Sequence, residues 1–279
     1  MYRYFCYLSL FVLILFGPVF GVSPLYQAML QDANSARGVG MGMSGIALES
    51  DGSGLFQNAA GLVPKGYFYQ YESFDLQAQT LPLAYGHFFH VGPVSIGTVH
   101  GEDLNKNRLY ATTIGFSQRG KNNFDWGVLY KGWQEVTASD NTQAWSADLG
   151  VVYHLNKALS LGVSVYDAIA GSPQAAPSSV GVGTALQLGD ISFTLESMFR
   201  QTQDATMMRT GLECLLTDGL IVRGGWYNKA YTFGATLSVP VVDVTYAALY
   251  PQDKTQPARY LFSFSFFKEQ MRDAPPKKK

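Results

Sequence analysis

From residue 66 onward the chain is written in short blocks in which every second residue is apolar. In the last block Tyr260, Phe262, Phe264 and Phe266 alternate with Arg259, Leu261, Ser263 and Ser265. Elsewhere Tyr231, Phe233, Ala235, Leu237 and Val239 stand against Thr232, Gly234, Thr236 and Ser238, and Trp145, Ala147, Leu149, Val151 and Tyr153 against Ser146, Asp148, Gly150 and Val152. Successive side chains of a strand point to opposite faces, so each block predicts a strand with one greasy face and one small or polar face. Fourteen blocks qualify: residues 66–74, 79–90, 93–100, 109–117, 123–131, 144–154, 158–167, 180–188, 190–200, 206–216, 219–227, 230–239, 241–250 and 258–267. Alternate connections are very short (Val91-Gly92, Leu155-Asn156-Lys157, Gly189, Thr217-Asp218-Gly219, Pro240). Several of the others are predicted to be long, notably Gly101–Arg108, Gly132–Thr142, Ala168–Ser179 and Pro251–Ala258. Tight turns at one end and longer loops at the other are the layout of an outer-membrane barrel.

Composition decides which way the greasy faces turn. Only 15% of residues are charged, against roughly 25% in a typical soluble domain, and the non-greasy faces carry Gly, Ser and Thr with occasional charges. A soluble sandwich would decorate that surface with charge; here the greasy faces are predicted to meet lipid. Lipid cannot satisfy backbone N–H and C=O groups, so the sheet must close on itself, and an even strand count brings both ends out on one side. The predicted fold is therefore all-β, a transmembrane antiparallel barrel of about 14 strands with its short turns periplasmic. Strands about 4.8 Å apart and tilted by roughly 40° give a backbone diameter of about 28 Å. Wall side chains alone do not fill such a bore; something must occupy it, or it leaks water as a porin does. On this reading Trp133, Trp145 and Trp226 fall near the outer strand ends and Trp126 near an inner end, where amphipathic rings settle at the membrane boundary. A helical membrane bundle is excluded, because mean hydropathy is only +0.01 and long apolar runs are confined to the N-terminus.

That N-terminal run begins with Arg3, continues from Tyr4 to Phe16 and is broken by Gly17-Pro18, with Val19-Phe20-Gly21 supplying a small residue at a cleavage point. It predicts a secretory signal over residues 1–21, too short for a spanning helix. Cys6 leaves with it, so mature protein keeps only Cys214 and forms no internal disulfide. Cys214 shares a face with Leu212 and Leu216 and is read as a small apolar wall residue. Residues 268–279 are read as a disordered basic tail, and the net charge of −1 gives no field that would attract nucleic acid.

Residues 22–65 lack strand alternation. They contain Ser35-Ala36-Arg37-Gly38-Val39-Gly40-Met41-Gly42-Met43-Ser44-Gly45-Ile46-Ala47-Leu48, then Asp51-Gly52-Ser53-Gly54-Leu55-Phe56-Gln57-Asn58-Ala59-Ala60-Gly61-Leu62. This stretch resembles the hatch of FadL-like outer-membrane proteins, particularly the PorV/PorQ-type branch. Phe56, Asn58, Ala60, Gly61 and Leu62 match the ending of that motif, while Ala59 stands for its proline and Gln57 for its usual tryptophan. Asp243-Val244-Thr245-Tyr246-Ala247 followed by Arg259 to Phe267 is also similar to that branch. The resemblance implies a 14-stranded barrel (66–267) plugged by an N-terminal hatch (22–65). It also implies one of two roles: import of fatty acids or other hydrophobic molecules, or PorV-like service in protein secretion and surface attachment.

Other motifs add little chemistry. Gly40-Met41-Gly42-Met43-Ser44-Gly45 spells G-x-G-x-x-G, but without the strand and helix of a dinucleotide site its glycines are read as turns of a compact plug. His87, His90, His100 and His154 show no metal-ligand spacing. No G-x-S-x-G occurs and no Ser/His/acid set can be nominated from order alone, so the chain is read as a non-enzyme without cofactor or metal. A charge facing mid-bilayer lipid costs about 2 to 4 kcal/mol for Arg or Lys, so Asp148, Glu196, Arg209, Glu213, Arg223 and Asp243 are predicted to face the lumen. They serve either as ion pairs pinning the hatch or, with Arg37, Arg209 or Arg223, as the seat of an anionic head group. The candidate ligand-binding or gating residues are Arg37, Gly40, Gly42, Gly45, Asn58, Arg209 and Arg223. The expected activity is passive transport of hydrophobic or amphipathic molecules, fatty-acid-like in kind, across the outer membrane of a Gram-negative-type bacterium. The alternative is a non-conducting scaffold for secretion-machinery proteins, and an open diffusion porin is a third. Membrane lipid is the one partner common to all.

Overall fold

The structure, a computed structural model, describes residues 24–26, 29–30, 35–48, 55–62, 67–73, 83–171, 179–200 and 206–266. The predicted signal at 1–21 and tail at 268–279 lie outside the described residues. Fourteen strands follow in chain order: β1 (Tyr67–Ser73), β2 (Leu83–Val91), β3 (Val94–Glu102), β4 (Arg108–Arg119), β5 (Phe124–Val136), β6 (Asn141–His154), β7 (Leu159–Ala170), β8 (Ser179–Leu188), β9 (Ile191–Arg200), β10 (Met207–Thr217), β11 (Leu220–Tyr227), β12 (Ala230–Val239), β13 (Val242–Pro251) and β14 (Arg259–Phe266). Each pairs antiparallel with its neighbours in sequence, and β14 returns to β1 with Tyr69 opposite Phe266 and Ser73 opposite Phe262. The sheet is thus a closed barrel with no free edge, as backbone polar groups in hydrocarbon require.

Alternation carries straight through to exposure. On β9, Phe193, Leu195 and Phe199 point outward at 44%, 41% and 51% exposure, while Thr194, Glu196, Met198 and Arg200 between them are buried. The predicted lumen-facing charges follow the same rule: Asp148, Glu196, Arg209 and Arg223 are buried, and Glu213 and Asp243 share the inward parity of their strands. Cys214 lies on the outward parity between exposed Leu212 and Leu216. Replacing Leu195 by Arg should cost about 2 to 4 kcal/mol of folding free energy in a bilayer. Reversible urea titration of lipid-inserted protein measures it, and an unchanged midpoint would mean that this face does not touch lipid.

Turn chemistry closes the hairpins. Gly92 and Gly189 take positive φ in two-residue connections, as do Asn228 and Lys229 between β11 and β12, and Asn122 and Asn123 do so in the four-residue connection between β4 and β5. Primed turns with φ above zero match the twist of the strands they join.

Two sequence expectations need correction. The connection expected over Gly132–Thr142 is mostly strand, since β5 and β6 stay paired until Val136 meets Asn141. Polar Gln134, Glu135, Thr142 and Gln143 pair as well as apolar residues do, because the ladder is made by the backbone. Trp133 does not sit in an outer aromatic belt. It shares parity with Asp125, Gly127, Leu129 and Lys131, is buried, and packs its ring 4.3 Å from that of Tyr26.

Tyr26 belongs to the N-terminal part, which shows two short helices, α1 (Pro24–Tyr26) and α2 (Ala36–Gly40), a 3-10 turn over Ala59–Gly61, and no strand among its described residues. Leu25, Tyr26, Met29, Leu30, Ala36, Val39, Leu55 and Phe56 are buried in one cluster with inward wall residues such as Phe88, Leu109, Leu129 and Leu249. These residues lie against the inner face of the wall.

Candidate functional site

A run of wall glycines sets the depth at which the N-terminal segment sits. A Cβ at Gly127 would collide with the Ala59 backbone, at Gly150 with Asn58 Oδ1, at Gly162 with the Ile46 carbonyl, at Gly211 with the Met41 carbonyl and at Gly225 with Gly42 N. Four strands (β5, β7, β10 and β11) therefore let backbone touch backbone, and β6 lets the Asn58 side chain reach its backbone, approaches only glycine permits.

Polar contacts then fix the segment in rotation. Ser35 caps α2 by accepting from Gly38 N at 2.9 Å. After α2 the chain reverses through Gly42 and Met43, at φ 65° and 59°, and Gly42 N donates to Thr232 Oγ1 at 2.9 Å. Ser44 Oγ lies 2.5 Å from Thr194 Oγ1. The Glu196 carboxylate accepts from both Gly45 N and Ile46 N through one oxygen, each at 2.5 Å. Asn58 accepts from Ala60 N at 2.9 Å, capping the 3-10 turn, and donates to Ile46 O at 2.7 Å and Val151 O at 3.1 Å. One side chain thus ties both halves of the segment to β6.

Two charge clusters flank this seat, the first partly and the second fully buried. In the first, Arg37 grips Glu213 with two parallel hydrogen bonds of 3.0 Å, and Arg223 donates to the same carboxylate at 2.6 Å and to Thr236 Oγ1 at 2.6 Å. Bidentate, charge-assisted bonds of this kind are the strong ones. Arg209 stands nearby on β10, 2% exposed, donating to Met43 O at 3.1 Å with its guanidinium 5.1 Å from the Tyr227 ring. In the second cluster Lys131 Nζ lies 2.8 Å from Asp148 Oδ1 and 2.6 Å from Asp167 Oδ1. Tyr26 OH donates to Asp167 at 2.9 Å, and burial and the Asp167 carboxylate push that phenol well above its ordinary pKa, so it stays a donor.

The structure therefore brings together Arg37, Gly40, Gly42, Arg209 and Arg223 on the β10–β12 side, with Gly45 against β9 and Asn58 against β6. The sequence reading did not single out Lys131, Asp167 or Tyr26. A lysine at inward parity in the middle of β5 was the available signal. Asp167, however, reaches Lys131 only through an irregularity in β6–β7 pairing between Ala147 and Leu149, with Asp167 itself at φ 52°. No candidate metal cluster is found among the described residues.

No protein-family profile matches the chain, and no curated protein matches it. Solved structures do. The Pseudomonas putida toluene transporter TodX superposes with a TM-score of 0.60 at 13% identity, covering 85% of this chain and 98% of that one. The Ralstonia pickettii toluene transporter TbuX gives 0.57 at 11% identity, over 83% and 97%. A Pseudomonas aeruginosa FadL homologue gives 0.54 at 12%, over 83% and 97%. The barrel has the FadL fold. At these identities the likeness is one of architecture, and the FadL fold here is built from its own luminal residues.

Proposed function

We propose that the chain is an outer-membrane channel for small hydrophobic or amphipathic molecules, with the N-terminal segment as a hatch in its bore. The observation that carries this reading is the closed, apolar-faced barrel of 14 strands whose inner face is fitted to that segment. Two of the solved structures that share the fold are described as toluene transporters. A lumen holding Met29, Met41, Met43, Met198 and Met207 adds unbranched, polarizable side chains that adapt to apolar guests. In this reading Gly40, Gly42 and Gly45 let the hatch turn, Asn58 ties its halves, and Arg37, Arg209 and Arg223 hold it to the wall or meet an anionic head group. The resemblance to the PorV/PorQ-type branch motivates a non-conducting scaffold instead.

The Ser44 and Thr194 hydroxyls are close enough to become a disulfide. In a Cys214→Ser background, a Ser44→Cys/Thr194→Cys pair should lower toluene or fatty-acid uptake into proteoliposomes at least tenfold when oxidised, with recovery on reduction. Uptake that is equal in both redox states would defeat the moving hatch. Absence of uptake by the unlocked protein would defeat transport altogether.

A further inference from the structure

Apart from both charge clusters, at the mouth formed by the tight turns, β5, β6 and β7 bring an acid, an imidazole and a hydroxyl into one chain. Ser160, near the start of β7, is directly opposite His154, the last residue of β6. His154 Nδ1 lies 2.9 Å from Ser160 Oγ, and its Nε2 lies 3.0 Å from Asp125 Oδ2. The His154 amide is held to Asn123 O at 2.9 Å, so the ring is placed by the β4–β5 turn as well as by its own strand. Asp125 is buried, while the His154 side chain keeps 23% exposure, enough to be reached from the mouth. A second cross-strand pair, His90 Nδ1 with Ser95 Oγ at 2.6 Å, shows what structure alone asks for: it is fully buried, and its Nε2 meets no hydrogen-bond partner among the described residues. Only the His154 pair has a carboxylate on the far nitrogen. That carboxylate selects the Nε2–H tautomer and leaves the Nδ1 lone pair facing a hydroxyl, the acid–imidazole–hydroxyl order of a catalytic triad with its two ring nitrogens exchanged.

We propose that Ser160, His154 and Asp125 form a hydrolytic site for small carboxylic esters. Ser160 Oγ attacks the ester carbonyl as its proton passes to His154 Nδ1. The tetrahedral adduct expels the alcohol, which takes that proton, and leaves an acyl group on Ser160. Water then attacks the acyl carbon, giving its proton to His154; collapse releases the carboxylic acid and returns the proton to Ser160. Asp125 holds the imidazolium in both halves. Arg119, whose Nε lies 3.6 Å from Asp125 Oδ2, keeps positive charge at the same rim.

The test uses the full-length barrel in detergent, its folding confirmed for every variant by heat-modifiable migration. p-Nitrophenyl butyrate should be turned over, and a fluorophosphonate probe should label Ser160, located by peptide mass spectrometry. Ser160→Ala should lose both signals, His154→Gln should lower turnover about 10²- to 10⁴-fold, and Ser95→Ala should keep wild-type turnover. Folded wild-type protein that hydrolyses no faster than Ser160→Ala, or whose label falls on another residue, would overturn the proposal.

Discussion

Replacing Lys131 by Met should destabilise the folded barrel by about 3 to 5 kcal/mol, the usual cost of removing one partner from a buried ion pair. The ammonium is fully buried between Asp148 and Asp167, so its loss strands two carboxylates away from bulk solvent. Asp167 also accepts from Tyr26 OH and, at 2.5 Å, from Ser146 Oγ, and the Asp167 amide donates to Asp148 at 2.7 Å. The irregular β6–β7 register and the hold on α1 therefore share this one cluster. Urea titration in lipid vesicles reads the loss. A triple variant that also carries Asp148→Asn and Asp167→Asn should recover most of it, because neutral amides remove the stranded charges. If Lys131→Met unfolds within about 1 kcal/mol of wild type, the cluster does not hold the wall as argued.

Gly150→Leu should have the second largest effect, and on a different part of the molecule. A side chain there must enter the space of Asn58 Oδ1 and the Ala60 amide. It would drive out the residue that caps the 3-10 turn and ties it to Ile46 and Val151. Overpacking costs about 1 to 3 kcal/mol, and each displaced hydrogen bond adds about 0.5 to 1.5 kcal/mol. The wall itself tolerates a larger inward side chain, so the barrel should still form while the segment over Leu55–Leu62 leaves its seat. Planar-bilayer recordings should then show larger and noisier conductance than wild type, and limited proteolysis should cut near Asn58. Gly224→Ala is the matched control: it faces outward, with the nearest atom, Thr232 O, 4.0 Å from where its Cβ would be. Wild-type conductance in Gly150→Leu would show that the fit at this glycine does not govern the seating.

Much of this architecture was legible because period-two alternation survives any error in strand ends. Each of the 14 blocks marked in sequence overlaps one strand, and the greasy face of β9 or β12 can be read off residue by residue. The errors came where a different signal was allowed to outrank parity. Trp133 was assigned to an aromatic belt by residue type, although its neighbours two and four positions back, Lys131 and Leu129, fixed it to the inner face. Gly132–Thr142 was read as loop because its residues are polar, although a ladder beyond the bilayer needs no apolar side chains. At the candidate site, Arg37, Arg209, Arg223 and Glu213 could be named because charges are scarce in such strands. Which arginine meets which acid could not, since that depends on cross-strand register and on the route of α2. Lys131 with Asp167 was further out of reach, because a register irregularity places the aspartate. The His154 to Ser160 pairing likewise exists only once the β6–β7 turn has set who faces whom.

The seam between β1 and β14 has a consequence for how the molecule is made. Tyr69 finds Phe266 only after nearly the whole polypeptide has emerged, so a nascent chain ending before Arg259 leaves β13 and β1 as bare rims in hydrocarbon. The described residues of its N-terminal part, synthesised first, come to lie against the inner face of that wall. The last strand is thus the hoop of the cylinder, and because loop-closure entropy must be met before so remote a pairing forms, its closure is expected to be the slow step of folding.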